Sequence, residues 1–306
     1  MNKKILASAA LLVIVVAGIF FAVKQSSTTN NDNNTLQVVA SYYPLYDFVK
    51  NVGKDKVNIT NVTPAGSEPH DYEPSAKALA DAQKAPVFVY NGGHMEPWTD
   101  GFLHDYKNTA VKASDGINLL SAEAEDDPAE TVQDPHFWLD PVLAQKIVDN
   151  IQAGLSRADP TNKEFYTKNA DSYKAQLAAL DATYRNGLNQ CSLTTVVSSH
   201  DAFSYLGKRY NLDIVSIAGL SPEEEPSAAK LAELSQLIKD KGIHYVFFES
   251  LVSPRLADTI ATETGAKTLV FDPIEGLTDA DQKEGKNYIS IQQENLDNLR
   301  TALACK

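Results

Sequence analysis

Residues 161–188, TNKEFYTKNADSYKAQLAALDATYRNGL, decide the fold. Apolar or aromatic residues recur at Tyr166, Ala170, Tyr173, Leu177, Leu180, Tyr184 and Leu188. That three-and-four spacing is one face of a helix. Thr161 followed by Glu164 matches a capping box, so the helix is predicted to start there. Running to Gly187, it would span about 40 Å, long for a helix confined to one lobe. Strands and helices alternate on both sides of it. The expected architecture is α/β: two lobes, each a parallel sheet flanked by helices, joined by this rigid helix with a ligand cleft between them.

On the N-terminal side the predicted strands are 36–41, 56–62, 86–90 and 109–113. The helices between them are 45–52, 75–84 (with Ser75 as N-cap) and 97–106. On the C-terminal side the strands are 194–199, 212–217, 243–249 and 266–272. The helices there are 202–210, 227–241, 254–264 and 288–303, with Gly242 and Gly265 placed to cap two of them. The expected divisions are a first lobe over 36–160, the linking helix over 161–189 and a second lobe over 190–306.

Ahead of the first lobe, Lys3 and Lys4 precede 19 uncharged residues, Ile5 to Val23, and Lys24 follows. As a helix that run is about 28 Å long, close to a bilayer's hydrocarbon thickness. No small-x-small cleavage site follows it, so within 1–24 an uncleaved anchor is favoured over a cleaved signal. Either way the lysines stay cytoplasmic and the rest is exported. No cysteine precedes Cys191, which excludes lipid attachment at an N-terminal cysteine. Residues 25–35 are polar and predict a flexible tether.

The formal net charge of −13 argues against nucleic acid as a partner. Cys191 and Cys305 are the only cysteines. In an exported chain they suggest one disulfide, the alternative being two buried thiols. The 121–134 stretch, SAEAEDDPAETVQD, carries six carboxylates and no base. It is expected to be a solvated acidic loop.

Three histidines follow predicted strands. His136 lies in DPHFWLDP (134–141), bracketed by prolines that stiffen the loop. His70 lies in the similarly bracketed GSEPHDYEP (66–74), and His200 ends the apolar run TTVVSSH (194–200). Asp272 and Glu275 follow the last strand of the second lobe. Ligands of open parallel sheets bind beyond the carboxyl ends of the strands, so a metal would bridge the cleft. Three imidazoles and a carboxylate suit Zn²⁺, whereas Mn²⁺ favours more oxygen. The residues alone leave Asp272 and Glu275 open as the fourth ligand. Glu249 could orient a histidine N–H or serve a helix N-terminus. His94 is a lesser ligand candidate, His104 is expected on a surface helix and His244 in a strand. Trp98 and Trp138 are expected to pack.

The chain resembles the metal-receptor (solute-binding) proteins of ABC importers, the helical-backbone cluster that takes up zinc or manganese. The resemblance covers about residues 36–304. It rests on EPHDYEPS, NGGHMEPW, DPHFWLDP, SSHDAFSYLGKRY, GLSPEEEPSAAKLAEL, YVFFESLVSPRLADTIA and PIEGLT followed by NYISI, in that order. It implies His70, His136, His200 and Glu275 as ligands, with Asp272 standing where zinc-type members often have Asn. Manganese-type relatives tend to put a carboxylate in a second-lobe ligand position, so His200 points to zinc. Two features depart from the family. The acidic 121–134 stretch stands where a histidine-rich loop is common, and no lipidated cysteine is present.

The resemblance implies an extracytoplasmic Zn²⁺ receptor serving an ABC permease in the cytoplasmic membrane, monomeric and without catalysis. A manganese receptor of the same class is the alternative. A zinc hydrolase, with Glu249 or Glu275 as general base, is disfavoured, because no H-E-x-x-H motif occurs and four ligands would close the shell.

Overall fold

The computed structural model describes residues 35–123 and 131–306. The apolar N-terminal run, nearly all of the polar tether and the centre of the acidic stretch lie outside the described residues.

The first sheet is built from Leu36–Ala40 (β1), Val57–Asn61 (β2), Val87–Tyr90 (β3) and Thr109–Lys112 (β4). All pairings are parallel, in the order β2-β1-β3-β4. Val38 and Ala40 are buried, as are Val87, Phe88 and Val89 on the neighbouring strand. Such continuously apolar strands suit a sheet covered on both faces. The helices Tyr43–Gly53 (α1), Ala76–Ala82 (α2) and Thr99–Asp105 (α3) connect the strands. Ser75 caps α2 as expected, its hydroxyl accepting from the Ala78 N–H. The acidic stretch begins and ends in a short antiparallel pair, Ser121–Glu123 (β5) with Thr131–Gln133 (β6).

Pro141–Ala158 (α4) leads to the long helix Lys163–Gly187 (α5). Its predicted inward face is buried from Tyr166 to Tyr184. The predicted capping box does not form. The helix is entered through a 3₁₀ turn at Pro160–Asn162, and the Asn162 amide donates to Asp159 instead of capping. Early in α5 Asn169 donates to the Val52 carbonyl and Tyr173 to Asp47 (3.0 Å each); near its end the Tyr184 hydroxyl donates to the Gln292 carbonyl (2.8 Å). One helix thus serves elements from both halves of the chain.

In the second half Thr195–Ser198 (β7) pairs with Asp213–Ser216 (β8), and Tyr245–Phe248 (β9) with Lys267–Val270 (β10). Both ladders are parallel, and β7 runs beside β9. The helices are Ser204–Tyr210 (α6), Ala228–Lys241 (α7), Arg255–Thr264 (α8), Asp279–Glu284 (α9) and Tyr288–Ala302 (α10). Gly242 and Gly265 take the left-handed conformation that ends α7 and α8. The six-residue α9 is too short for a periodic apolar pattern and is absent from the sequence-based prediction. Cys191 and Cys305 form a disulfide closing 114 residues of sequence separation. Among the described residues no helix is long and apolar enough to cross a membrane.

Candidate metal centre

The donor-bearing side chains leave the carboxyl ends of strands. The chain after β2 carries His70, β7 leads into Ser199 and His200, β9 into Glu249, and β10 into the turn ending at Glu275. His136 stands at the start of a single 3₁₀ turn, Phe137–Leu139, held between its two Asp/Pro pairs.

Four donors converge. His70 Nε2 lies 3.1 Å from His136 Nε2 and 3.3 Å from Glu275 Oε1. His136 Nε2 is 3.3 Å from both Glu275 Oε1 and His200 Nε2, and His200 Nε2 is 3.4 Å from Glu275 Oε1. A zinc tetrahedron with bonds of about 2.0–2.1 Å has edges of about 3.3–3.4 Å. Four of these five separations match such edges, and the His70–His136 separation is slightly shorter. His136, His200 and Glu275 are buried, while the His70 side chain retains 10% exposure. Among the described residues this quartet is the group of His, Cys, Asp and Glu whose donor atoms could hold one ion.

Carboxylates behind two of the imidazoles set their orientation. Asp134 Oδ1 lies 2.9 Å from both the backbone N–H and Nδ1 of His136. Glu249 Oε1 lies 2.6 Å from His200 Nδ1 and also accepts from the Ser199 hydroxyl. An ionised carboxylate only accepts, so each Nδ1 carries a proton, and Nε2 is the nitrogen left to offer a lone pair to a cation once its own proton is released. The DPHFWLDP motif carries Asp134 two residues before His136, a spacing that is the sequence signal for this role.

Charge and burial act differently on the four donors. Burial lowers the His70 pKa, with Glu275 opposing only in part. Burial also pulls on His136 and His200, but the carboxylates outweigh it. Asp134 and Glu275 raise His136, and Glu249 and Glu275 hold His200 well above the usual range. Burial opposes charge on Glu275, yet the His200 charge and hydrogen bonds from three imidazoles keep its carboxyl well below the usual glutamate range.

Asp272 takes a different place from Glu275. Its Oδ1 accepts the Ile274 N–H at 2.7 Å, and burial pushes its pKa up to about 6. Ile274 adopts φ +61°, costly for a β-branched residue. Asn295 from α10 fixes the turn: its Oδ1 accepts from the Asp272 N–H (2.8 Å) and its amide donates to the Asp272 carbonyl (2.7 Å). Trp138 Nε1 donates to the Pro273 carbonyl at 2.8 Å, so this packed indole also holds the turn. The strained residue aims Glu275 at the imidazoles.

The other candidates stand apart from the quartet. His94 is exposed at φ +64°, His104 is exposed on α3, and His244 is exposed just before β9. Trp98 packs on Phe88 and Phe102. Beneath the His136 loop lies Glu96, fully buried, whose Oε1 accepts from the Ser41 hydroxyl and the Asn91 N–H. Burial pushes Glu96 up to about 7. Asn91 in turn donates to the Pro135 carbonyl at 2.9 Å.

Residues 38–302 match the family model of ZnuA, the periplasmic component A of zinc-uptake complexes. The chain belongs to the ZnuA family. Its sequence is 42% identical over 282 residues to the high-affinity zinc uptake system protein ZnuA of Bacillus subtilis, covering 89% of this chain and 88% of that protein. It is 43% identical over 276 residues to the zinc-binding lipoprotein AdcA of Streptococcus pneumoniae. That match covers 87% of this chain but 55% of AdcA, so the chain spans about half of that relative. The crystal structure of the Zn(II)-bound ZnuA-like domain of the same AdcA superposes with a TM-score of 0.77 at 42% identity, covering 88% of this chain and 99% of that one. Family membership makes the chain the receptor component of a zinc-uptake system, and the two-lobed α/β architecture expected from the sequence is the family's own.

Proposed function

We propose that the chain captures one Zn²⁺ outside the cytoplasm with His70, His136, His200 and Glu275, and hands it to an ABC permease. The convergence of three Nε2 atoms and one carboxylate oxygen, with separations of 3.1–3.4 Å close to tetrahedral edge lengths, supports this reading. A donor set with one oxygen favours zinc over manganese.

The chain acts as a binding protein and performs no catalysis. A catalytic zinc keeps a position open for water, whereas four protein donors complete the shell here. The lobes are taken as 36–160 and 190–306, with the linker at 161–189 between them, and the apolar N-terminal run as the membrane anchor. The working form is a monomer with no nucleic-acid partner, in keeping with the net charge of −13.

The test is metal analysis and zinc titration of the stripped full chain and its His70→Ala, His136→Ala, His200→Ala and Glu275→Gln variants. Each variant should bind zinc more weakly by at least about tenfold while remaining folded. Unchanged affinity in any histidine variant would remove that residue from the site.

A further inference from the structure

The helix that follows His200 grips both shoulders of the loop that carries His136. Tyr205 and Arg209 lie four residues apart on α6 and so share a face. The buried Tyr205 hydroxyl donates to the Asp134 carbonyl and accepts from the Leu120 N–H, both at 2.7 Å. Arg209 Nε lies 2.8 and 3.0 Å from the two Asp140 oxygens, and its Nη2 is 2.7 Å from Oδ2. Asp140 is itself buried and caps α4 by accepting from the Val142 N–H. The Tyr205 ring also meets Phe137 edge-on at 6.4 Å. One grip therefore lies two residues before His136 and the other four residues after it.

We infer that Tyr205 and Arg209 are positioning residues for the metal: they fix the separation of His136 from His200 and thereby the preference for zinc. The two donors come from opposite halves of the chain, and their Nε2 atoms stand 3.3 Å apart. Asp134, whose carbonyl Tyr205 holds, orients the His136 ring through its carboxylate. Arg209 makes a forked contact with the buried Asp140 carboxylate whose geometry lysine cannot reproduce in full. A displacement of either grip moves one donor relative to the other, and a small tetrahedral ion tolerates that less than an ion with more and longer bonds. The inference rests on the metal-site reading given under Proposed function.

The test uses the full chain, stripped of metal, as Tyr205→Phe, Arg209→Met and Arg209→Lys. Tyr205→Phe removes only the hydroxyl and keeps the ring. Co²⁺ serves as a probe whose visible absorption reports coordination geometry, and Zn²⁺ and Mn²⁺ affinities are measured by competition. Tyr205→Phe and Arg209→Met should each alter the Co²⁺ spectrum and reduce the Zn²⁺ to Mn²⁺ affinity ratio by about tenfold, in the range for outer-shell changes. Arg209→Lys should recover part of both. An unchanged spectrum and ratio in Tyr205→Phe and Arg209→Met would overturn the inference, even with a lowered thermal midpoint, since that pattern marks a purely structural brace. His200→Ala, run alongside, separates the two levels: if it too leaves zinc binding unchanged, the metal-site reading has failed and the inference falls with it.

Discussion

Glu249 Oε1 stands 2.6 Å from Nδ1 of His200, joining the end of β9 to the end of β7. The carboxylate fixes the imidazole tautomer and strengthens Nε2 as a donor. Glu249→Gln keeps the shape and removes the charge. Its zinc affinity should fall by about 10–100-fold in a chelator competition, with Co²⁺ still binding at the same stoichiometry. An unchanged affinity would leave Glu249 as packing alone.

Asp272 and Glu275 are three residues apart and have separate tasks. Glu275→Gln should cause a large loss of zinc binding. Asp272→Asn should cause a small one, because the amide oxygen still accepts the Ile274 N–H. Parallel titrations decide between them, and equal losses would put Asp272 among the donors.

The metal-free centre carries a pH signature. The folded-state pKa of His200 is raised above the ordinary histidine value of 6.5. Its stabilising contribution is therefore fully present below that value and is lost as pH rises through the folded pKa. Glu275 is depressed below 4.5. Its contribution is present above that value and is lost as pH falls through the folded pKa. In thermal unfolding of stripped protein, the stability difference between wild type and His200→Ala should shrink on the alkaline side. Zinc affinity should run the opposite way, weakening in acid as imidazoles protonate. A difference that grows with pH would contradict the assignment of charge.

Glu96 has the opposite sign from Glu275. Burial, opposed by hydrogen bonds from Ser41 and Asn91, raises it from 4.5 to about 7. The folded state thus holds a proton that the unfolded chain releases above 4.5. Stability should fall between about pH 4.5 and 7, by on the order of 3 kcal/mol at about 1.4 kcal/mol per pKa unit. Glu96→Gln should flatten that slope in denaturant titrations at pH 5 and 7.5. An unaltered slope would place its source elsewhere.

Much of this was legible in the sequence because it follows from local pattern. The buried face of α5 repeats at helical spacing, and the strands are short apolar runs separated by glycine or proline. His70 and His200 announced themselves by lying after strands, and His136 by its two flanking Asp/Pro pairs. The supporting contacts were not legible. Asn295 reaches Asp272 across 23 positions, and Tyr205 reaches Asp134 across 71. Nothing in local composition encodes such pairs. Ile274 in the left-handed region runs against its own preference and is explained only by the turn that holds it. The Thr161–Glu164 capping pattern misled, because Asp159 and a 3₁₀ turn at Pro160 provide another way into the helix.

On the proposed reading, three imidazoles and one carboxylate select zinc. Its most direct test is an equilibrium competition of Zn²⁺ against excess Mn²⁺ on the stripped full chain, read by bound-metal analysis. One Zn²⁺ per chain should stay bound against Mn²⁺, with that preference lost in His200→Ala. Displacement by Mn²⁺, or full zinc retention without His200, would contradict it.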